Sequence, residues 1–185
     1  MNVYSDEMMA ATRREMAQQA LLELLDLLET NAIEVWLDGG WAVDALLGVQ
    51  TRPHEDVDII LAEADVGPLR ALLAARGYVD VPRDDTRPCN FVMGNAQGEE
   101  VDFHAVLFDA YGNGAYDGVT AAFPAAGFGG VGKIGGRPVK CLTAAQIVEF
   151  HTQYTPDAND IRDVAALCAA FGIEYPSDYP PADPD

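Results

Sequence analysis

The feature that most constrains this chain is a pair of carboxylates two positions apart, Asp56-Val57-Asp58, running into Ile59-Ile60 and preceded at a short interval by a glycine pair, Gly39-Gly40. In an extended segment alternate side chains share a face, so Asp56 and Asp58 point together while Val57 and Ile59 face apolar packing. Two anions held that close repel each other and call for a cation. A hard divalent ion with oxygen ligands meets that need, and Mg²⁺ is favoured where phosphates add further oxygens. Asp56 and Asp58 are therefore read as metal ligands.

The segment before them fits the same chemistry. Glu34-Val35-Trp36-Leu37 reads as a short strand, Gly39-Gly40 as a turn, and Trp41 to Leu47 as a helix ended near Gly48. Backbone N–H groups at such a turn can meet a phosphate, and the missing Cβ atoms permit close approach. Gly39 and Gly40 are thus expected to hold the phosphates of a nucleotide. A glycine pair alone is as often only a turn, and its meaning here comes from the acidic strand that follows.

Around this centre the chain alternates strand and helix, which predicts an α/β core. Leu21, Leu24, Leu25 and Leu28 form the stripe of an amphipathic helix within about residues 6–29, ended by Asn31. Asp65 is a plausible cap for a helix through Leu69, Leu72 and Leu73 that Gly77 stops. Strands are expected near Asn90-Phe91-Val92-Met93 and from Glu100 to Val106, joined by a hairpin loop, so that Asp102 lies on a strand. The Gly-rich stretch from Phe108 to Gly136 reads as a loop of the kind that shapes binding sites. Arg137 to Leu142 reads as one more strand. Thr143-Ala144-Ala145-Gln146 has the form of a capping box, and a second helix capped near Asp157 ends at Gly172. The expected division is a core over 1–142, a helical pair over 143–174 and a frayed tail over 175–185.

Charge narrows the partners. A formal net charge of −19 disfavours a polynucleotide, whose phosphates would meet repulsion, and suits a cationic small molecule, although carboxylates of this kind also serve solubility alone. No apolar run approaches the roughly 18 residues needed to span a bilayer, and Asp6, Glu7, Arg13 and Arg14 leave no secretory core near the start. No membrane association and a cytoplasmic location are expected. Cys89, Cys141 and Cys168 show neither a disulfide framework nor a zinc pattern.

Gly39-Gly40-Trp41, Thr51-Arg52-Pro53-His54-Glu55-Asp56-Val57-Asp58 and Val101-Asp102-Phe103 together resemble the signature of the DNA polymerase β-like nucleotidyltransferase superfamily. Trp36-Leu37-Asp38-Gly39-Gly40-Trp41-Ala42-Val43-Asp44 is most similar to the lincosamide nucleotidyltransferases and the aminoglycoside 2″-nucleotidyltransferase. The resemblance implies the nucleotidyltransferase fold: a short mixed β-sheet flanked by helices, with a small C-terminal helical pair. It also implies Mg²⁺, ATP or another nucleoside triphosphate as co-substrate, and transfer of a nucleotide to an antibiotic hydroxyl. Asp102 matches the third acidic position, as general base or as a further metal ligand beside Asp56 and Asp58. Members of this group often pair with a second copy of themselves, so a homodimer is a possible partner.

Arg52, Arg137 and Lys140 stand out among only 11 Lys and Arg residues and are candidates for phosphate contact, with a surface salt bridge as the plain alternative. His104 shares the face of Asp102 and can orient a carboxylate or sit as an ordinary strand histidine. Arg162 resembles the basic position on the family's C-terminal helix. Trp36 and Trp41 suit packing better than ring stacking, and Tyr111, Tyr116, Asp109 and Asp117 are candidates for acceptor contacts. Two other readings stay open: the same fold acting on a protein or tRNA acceptor, as in toxin–antitoxin systems, and a nucleotide-binding module without chemistry.

Overall fold

The computed structural model describes residues 16–181, so the part of the first expected helix before residue 16 lies outside the described residues. α1 (Gln18–Thr30) buries Leu21, Leu24, Leu25 and Leu28, the stripe its sequence carries, and Asn31 closes it with its side-chain amide donating to the Leu27 carbonyl at 2.8 Å. There follow β1 (Val35–Asp38), α2 (Gly39–Leu47), β2 (Asp56–Ala62), α3 (Val66–Ala74), β3 (Val79–Val81), β4 (Asn90–Gly94) and β5 (Glu100–Phe108). The second half holds β6 (Gly114–Tyr116), β7 (Val119–Phe123), β8 (Gly130–Ile134), β9 (Arg137–Cys141), α4 (Ala144–His151) and α5 (Ala158–Phe171).

One mixed sheet runs in the order β3-β4-β5-β2-β1-β9-β8, with the β6–β7 hairpin added at the end of β5. β2 is antiparallel to β1 and parallel to β5, and β1 is parallel to β9. Val57, Ile59, Ile60 and Leu61 are fully buried on β2, because a central strand of a helix-covered sheet is apolar on both faces. Polar groups therefore stand only at its leading end. That is where Asp56 and Asp58 lie, and the mixed α/β architecture with helices against the sheet is the one expected.

The stretch 108–136 departs from the expected loop. It contains β6, β7, β8 and a 3₁₀ turn at Ala125–Gly129. Two of its turns rest on glycine: Asp117 and Gly118, both at positive φ (50° and 77°), join Tyr116 to Val119 in a two-residue hairpin. Gly135 and Gly136 (56° and 84°) do the same between Ile134 and Arg137. Such turns need positive φ at both central residues, so an Asp-Gly or Gly-Gly pair marks a hairpin rather than an irregular loop. The short β3 also went unforeseen.

α4 opens at Thr143, whose hydroxyl accepts from the Gln146 N–H at 3.3 Å, and α5 opens with a full capping box between Asp157 and Asp160. α4 and α5 pack on each other and on α2. Part of the segment 175–181 packs on the core. Tyr179 is buried in the core and the Tyr175 hydroxyl donates to the Pro180 carbonyl at 2.5 Å, because the two aromatic rings outweigh the prolines and acids around them. Among the described residues no helix is long and apolar enough to cross a membrane.

Candidate active site

Register builds the site. Asp38 on β1 pairs with Asp58 on β2, and Asp58 pairs with Asp102 on β5, so three carboxylates stand side by side on three neighbouring strands. Asp58, Asp102 and His104 offer ligand atoms that all lie within 4.8 Å of one another. Asp56 and Asp58 line a cleft of about 270 Å³ together with Asp38, Gly39, Gly40 and Arg52. Further lining comes from the C-terminal helices and their connection, with Phe150 and His151 on α4, Tyr154 between the helices, and Asp160 and Asp163 on α5.

This crowding sets the electrostatics. Burial raises the Asp38 carboxyl above the ordinary carboxylate range, and the charge on Asp58 pushes it further. Burial likewise raises Asp102, against the pull of His104 and with the repulsion of Asp58. Burial opposes a charge on His104, but the Asp58 carboxylate at 3.8 Å, with Asp102 and Asp38, outweighs it and lifts the imidazole to about 9. His104 Nδ1 meets the Tyr116 hydroxyl at 3.2 Å, which donates to Asn90 Oδ1 at 2.9 Å, and the Asn90 amide donates to Asp85 at 2.8 Å. An imidazolium thus offsets part of the repulsion that the acids create. Asp102 Oδ1 is buried with no hydrogen-bond partner, an orphaned acceptor of the sort that a cation or a hydroxyl would satisfy. Hard carboxylate oxygens around such an atom fit Mg²⁺.

The glycine pair is required by this packing. A Cβ on Gly39, which sits at φ +57°, would lie 2.1 Å from Asp58 Oδ2. On Gly40 it would lie 2.6 Å from Arg52 Nη2 and from the His54 ring. Helix α2 begins at Gly39 itself, two residues earlier than expected, with Asp38 as its cap accepting from the Gly39 N–H at 2.8 Å. The glycines therefore admit the acid row on one side and Arg52 on the other.

The cations expected at the phosphates divide. Arg52 is at the cleft, its Nη2 bonded to Asp163 Oδ2 at 2.9 Å. Arg137 and Lys140 are not: they lie on β9 at a separate cavity. There Arg137 pairs with Asp26 and with Glu29 (2.6 Å) and donates to the Leu22 carbonyl, while Lys140 pairs with Glu34. In so acidic a chain nearby carboxylates claim these cations, and Arg137 serves to tie α1 to the sheet. Arg162 is exposed and bonds to Asn159 on its own helix at 2.8 Å. Trp36 packs against Phe108 and Phe128 and Trp41 is buried, the packing use expected of both. Asp109 folds its own turn by accepting from Tyr111 and Asn113, and Tyr111 is almost wholly exposed.

Two residues escaped the sequence reading. Asp44, buried in α2, accepts from the Thr51 N–H at 2.9 Å, the Thr51 hydroxyl at 2.6 Å and the ring of buried His54 at 2.5 Å, fixing the loop that carries Arg52. A lone carboxylate inside Trp41-Ala42-Val43-Asp44-Ala45-Leu46-Leu47 was the available signal, since a buried acid needs donors. Asp163 offered no comparable sign, because its partner lies 111 residues away.

Comparison with known proteins agrees with this geometry. The chain is 24% identical over 169 residues to a 2''-aminoglycoside nucleotidyltransferase of Klebsiella pneumoniae, a match over 82% of this chain and 86% of that one. It is 50% identical to a lincosamide resistance protein of Staphylococcus haemolyticus, but over 42 residues only, 23% of this chain and 26% of that protein. Its fold is shared with the lincomycin-bound lincosamide antibiotic adenylyltransferase LnuA, at a TM-score of 0.73 and 24% identity over 83% of this chain and 98% of that one. The sequence profile of the aminoglycoside-2''-adenylyltransferases matches residues 20–167, and the chain belongs to that family of antibiotic nucleotidyltransferases.

Proposed function

We propose that this protein transfers a nucleoside monophosphate, AMP drawn from ATP, to a hydroxyl of a cationic antibiotic and releases pyrophosphate, so that its biological result is drug resistance. The observation that carries this reading is the register of Asp38, Asp58 and Asp102 across three adjacent strands, with a buried, unpartnered oxygen on Asp102. Asp56 and Asp58 would hold Mg²⁺. When bound, that ion neutralises triphosphate charge and aligns the leaving pyrophosphate with the attacking hydroxyl. Arg52 and the Gly39-Gly40 bend face the phosphates, and Gly40 leaves room for the guanidinium. Asp102 takes the proton of the acceptor hydroxyl, its buried and unpartnered Oδ1 being the atom placed to accept it.

The core, 1–142, supplies this chemistry, and the helical pair, 143–174, supplies the acceptor wall with Tyr154 and Asp160. An aminoglycoside is the favoured acceptor: the family profile spans 20–167, and a polycation is drawn to a chain of net charge −19. A lincosamide is the second reading, favoured by the fold shared with nearly the whole of LnuA. The same negative charge opposes a tRNA acceptor. Dependence on ATP makes the cytoplasm the natural compartment.

The test is pyrophosphate release across a panel of antibiotics and the four nucleoside triphosphates, with Mg²⁺ and with a chelator in its place. Release is expected with ATP, Mg²⁺ and an aminoglycoside, and its loss is expected on chelation. Label from ATP appearing on protein or RNA instead of the drug would contradict the assignment of the acceptor.

A further inference from the structure

Arg52 is the only lysine or arginine among the described residues lining the cleft. Its backbone is pinned, because Thr51 before it and His54 after it are both bonded to the buried carboxylate of Asp44. Its side chain is held at one corner. Nη2 is bonded to Asp163 Oδ2 at 2.9 Å, Nη1 makes a long 3.4 Å contact with the Pro53 carbonyl, and Nε is buried with no partner. A guanidinium has five N–H donors in a fixed fork, so this one keeps donors to spare. Asp163 comes from α5, 111 residues along the chain, and its side chain is only 6% exposed.

We propose that Asp163 is a positioning residue for the triphosphate: it acts through Arg52, holding the guanidinium across the cleft so that the free donors are already placed when a nucleotide arrives. The inference rests on the nucleotidyl-transfer reading of the cleft. A long side chain left loose would lose rotamer freedom at each binding event, whereas one already anchored does not. Asp163 is well placed for that anchor because it is buried and cannot be screened or displaced easily by solvent. The arrangement also couples the two ends of the chain: α5 must be docked for the phosphate side to be complete.

The test is calorimetric titration of Mg·ATP, without acceptor, into the full chain and the variants Asp163→Asn, Arg52→Gln and the double variant. Each is measured at a temperature where its circular dichroism matches wild type. Asp163→Asn should weaken Mg·ATP binding about tenfold, and the double variant should bind no more weakly than Arg52→Gln alone, because neighbours acting through one contact are not additive. Should Asp163→Asn not fold, Asp163→Glu moves the carboxylate by one methylene and is expected to weaken binding severalfold while keeping the ion pair. Unchanged or tighter binding in either Asp163 variant, or full additivity in the double variant, overturns the inference, since an ion pair that only docks α5 would shift melting temperature alone. Failure of wild type to bind Mg·ATP would instead bring down the nucleotidyl-transfer reading itself.

Discussion

The acid row is held together against its own repulsion, and this is where single substitutions speak most clearly. Asp102→Asn keeps the shape of the side chain but removes its capacity to take a proton. The turnover rate should fall by about 10²- to 10⁴-fold, the usual contribution of a general base, while Mg·ATP still binds. Retention of most of the rate would remove Asp102 from the chemistry. His104 gives a pH signature in the metal-free protein. Its folded pKa of about 9 lies above the ordinary 6.5, so its ion pair with Asp58 stabilises the fold fully below about 6.5 and is lost as pH rises through about 9. With a chelator present, the melting temperature of His104→Gln should therefore fall below wild type at pH 6 and converge with it near pH 10. A constant gap across that range would show that the imidazole is not charged by Asp58. Asp56 and Asp58 were legible as a pair from strand alternation, because the two-residue period fixes which side chains share a face, whereas Asp102 was legible as a strand residue and took its role from the family resemblance. Asp38, Asp44 and Asp163 were not, because register, helix burial and a distant ion pair assign their roles, and none of these is a local property.

Elements position the row through backbone that only glycine can adopt. Gly39 stands at φ +57° against Asp58 Oδ2, so Gly39→Ala both strains the chain and pushes the carboxylate aside. It should cost about 1–3 kcal/mol of stability, measured by denaturant unfolding, and should abolish turnover beyond what unfolding explains. Full activity in that variant would mean that Asp58 need not sit where the cap of α2 now leaves room for it. The strands and helices with a clean apolar period were readable in advance: α1 from its leucine stripe, β2 and β5 from their alternation, α5 from Asp157 and Gly172. Between 108 and 136 the apolar period fails over strands of only three to five residues, and only the turn pairs Asp117-Gly118 and Gly135-Gly136 announce the hairpins. Weight given to those pairs would have recovered β6 to β8.

At the scale of the molecule, the surplus of carboxylates explains both what was misread and what the protein is suited to meet. Arg137 and Lys140 attract notice as scarce cations, yet acidic neighbours on α1 and at Glu34 claim them, and a cavity away from the cleft is where they end. Arg52 is claimed as well, by Asp163, but that carboxylate lines the cleft. The same field should draw a polycationic drug. Raising ionic strength from low to physiological values, where the Debye length is about 8 Å, should raise KM for an aminoglycoside more than it raises KM for a singly charged lincosamide. Equal salt dependence for the two would show that overall charge takes no part in acceptor choice. The central claim is that the aligned acids make a Mg²⁺-dependent nucleotidyl-transfer site. Mass spectrometry of the drug after incubation with protein, ATP and Mg²⁺ tests it most directly. An aminoglycoside heavier by one adenylyl group is expected with wild type and an unmodified drug with Asp58→Asn, whereas an unmodified drug with folded wild type across both antibiotic classes would show that the aligned acids do not carry this chemistry.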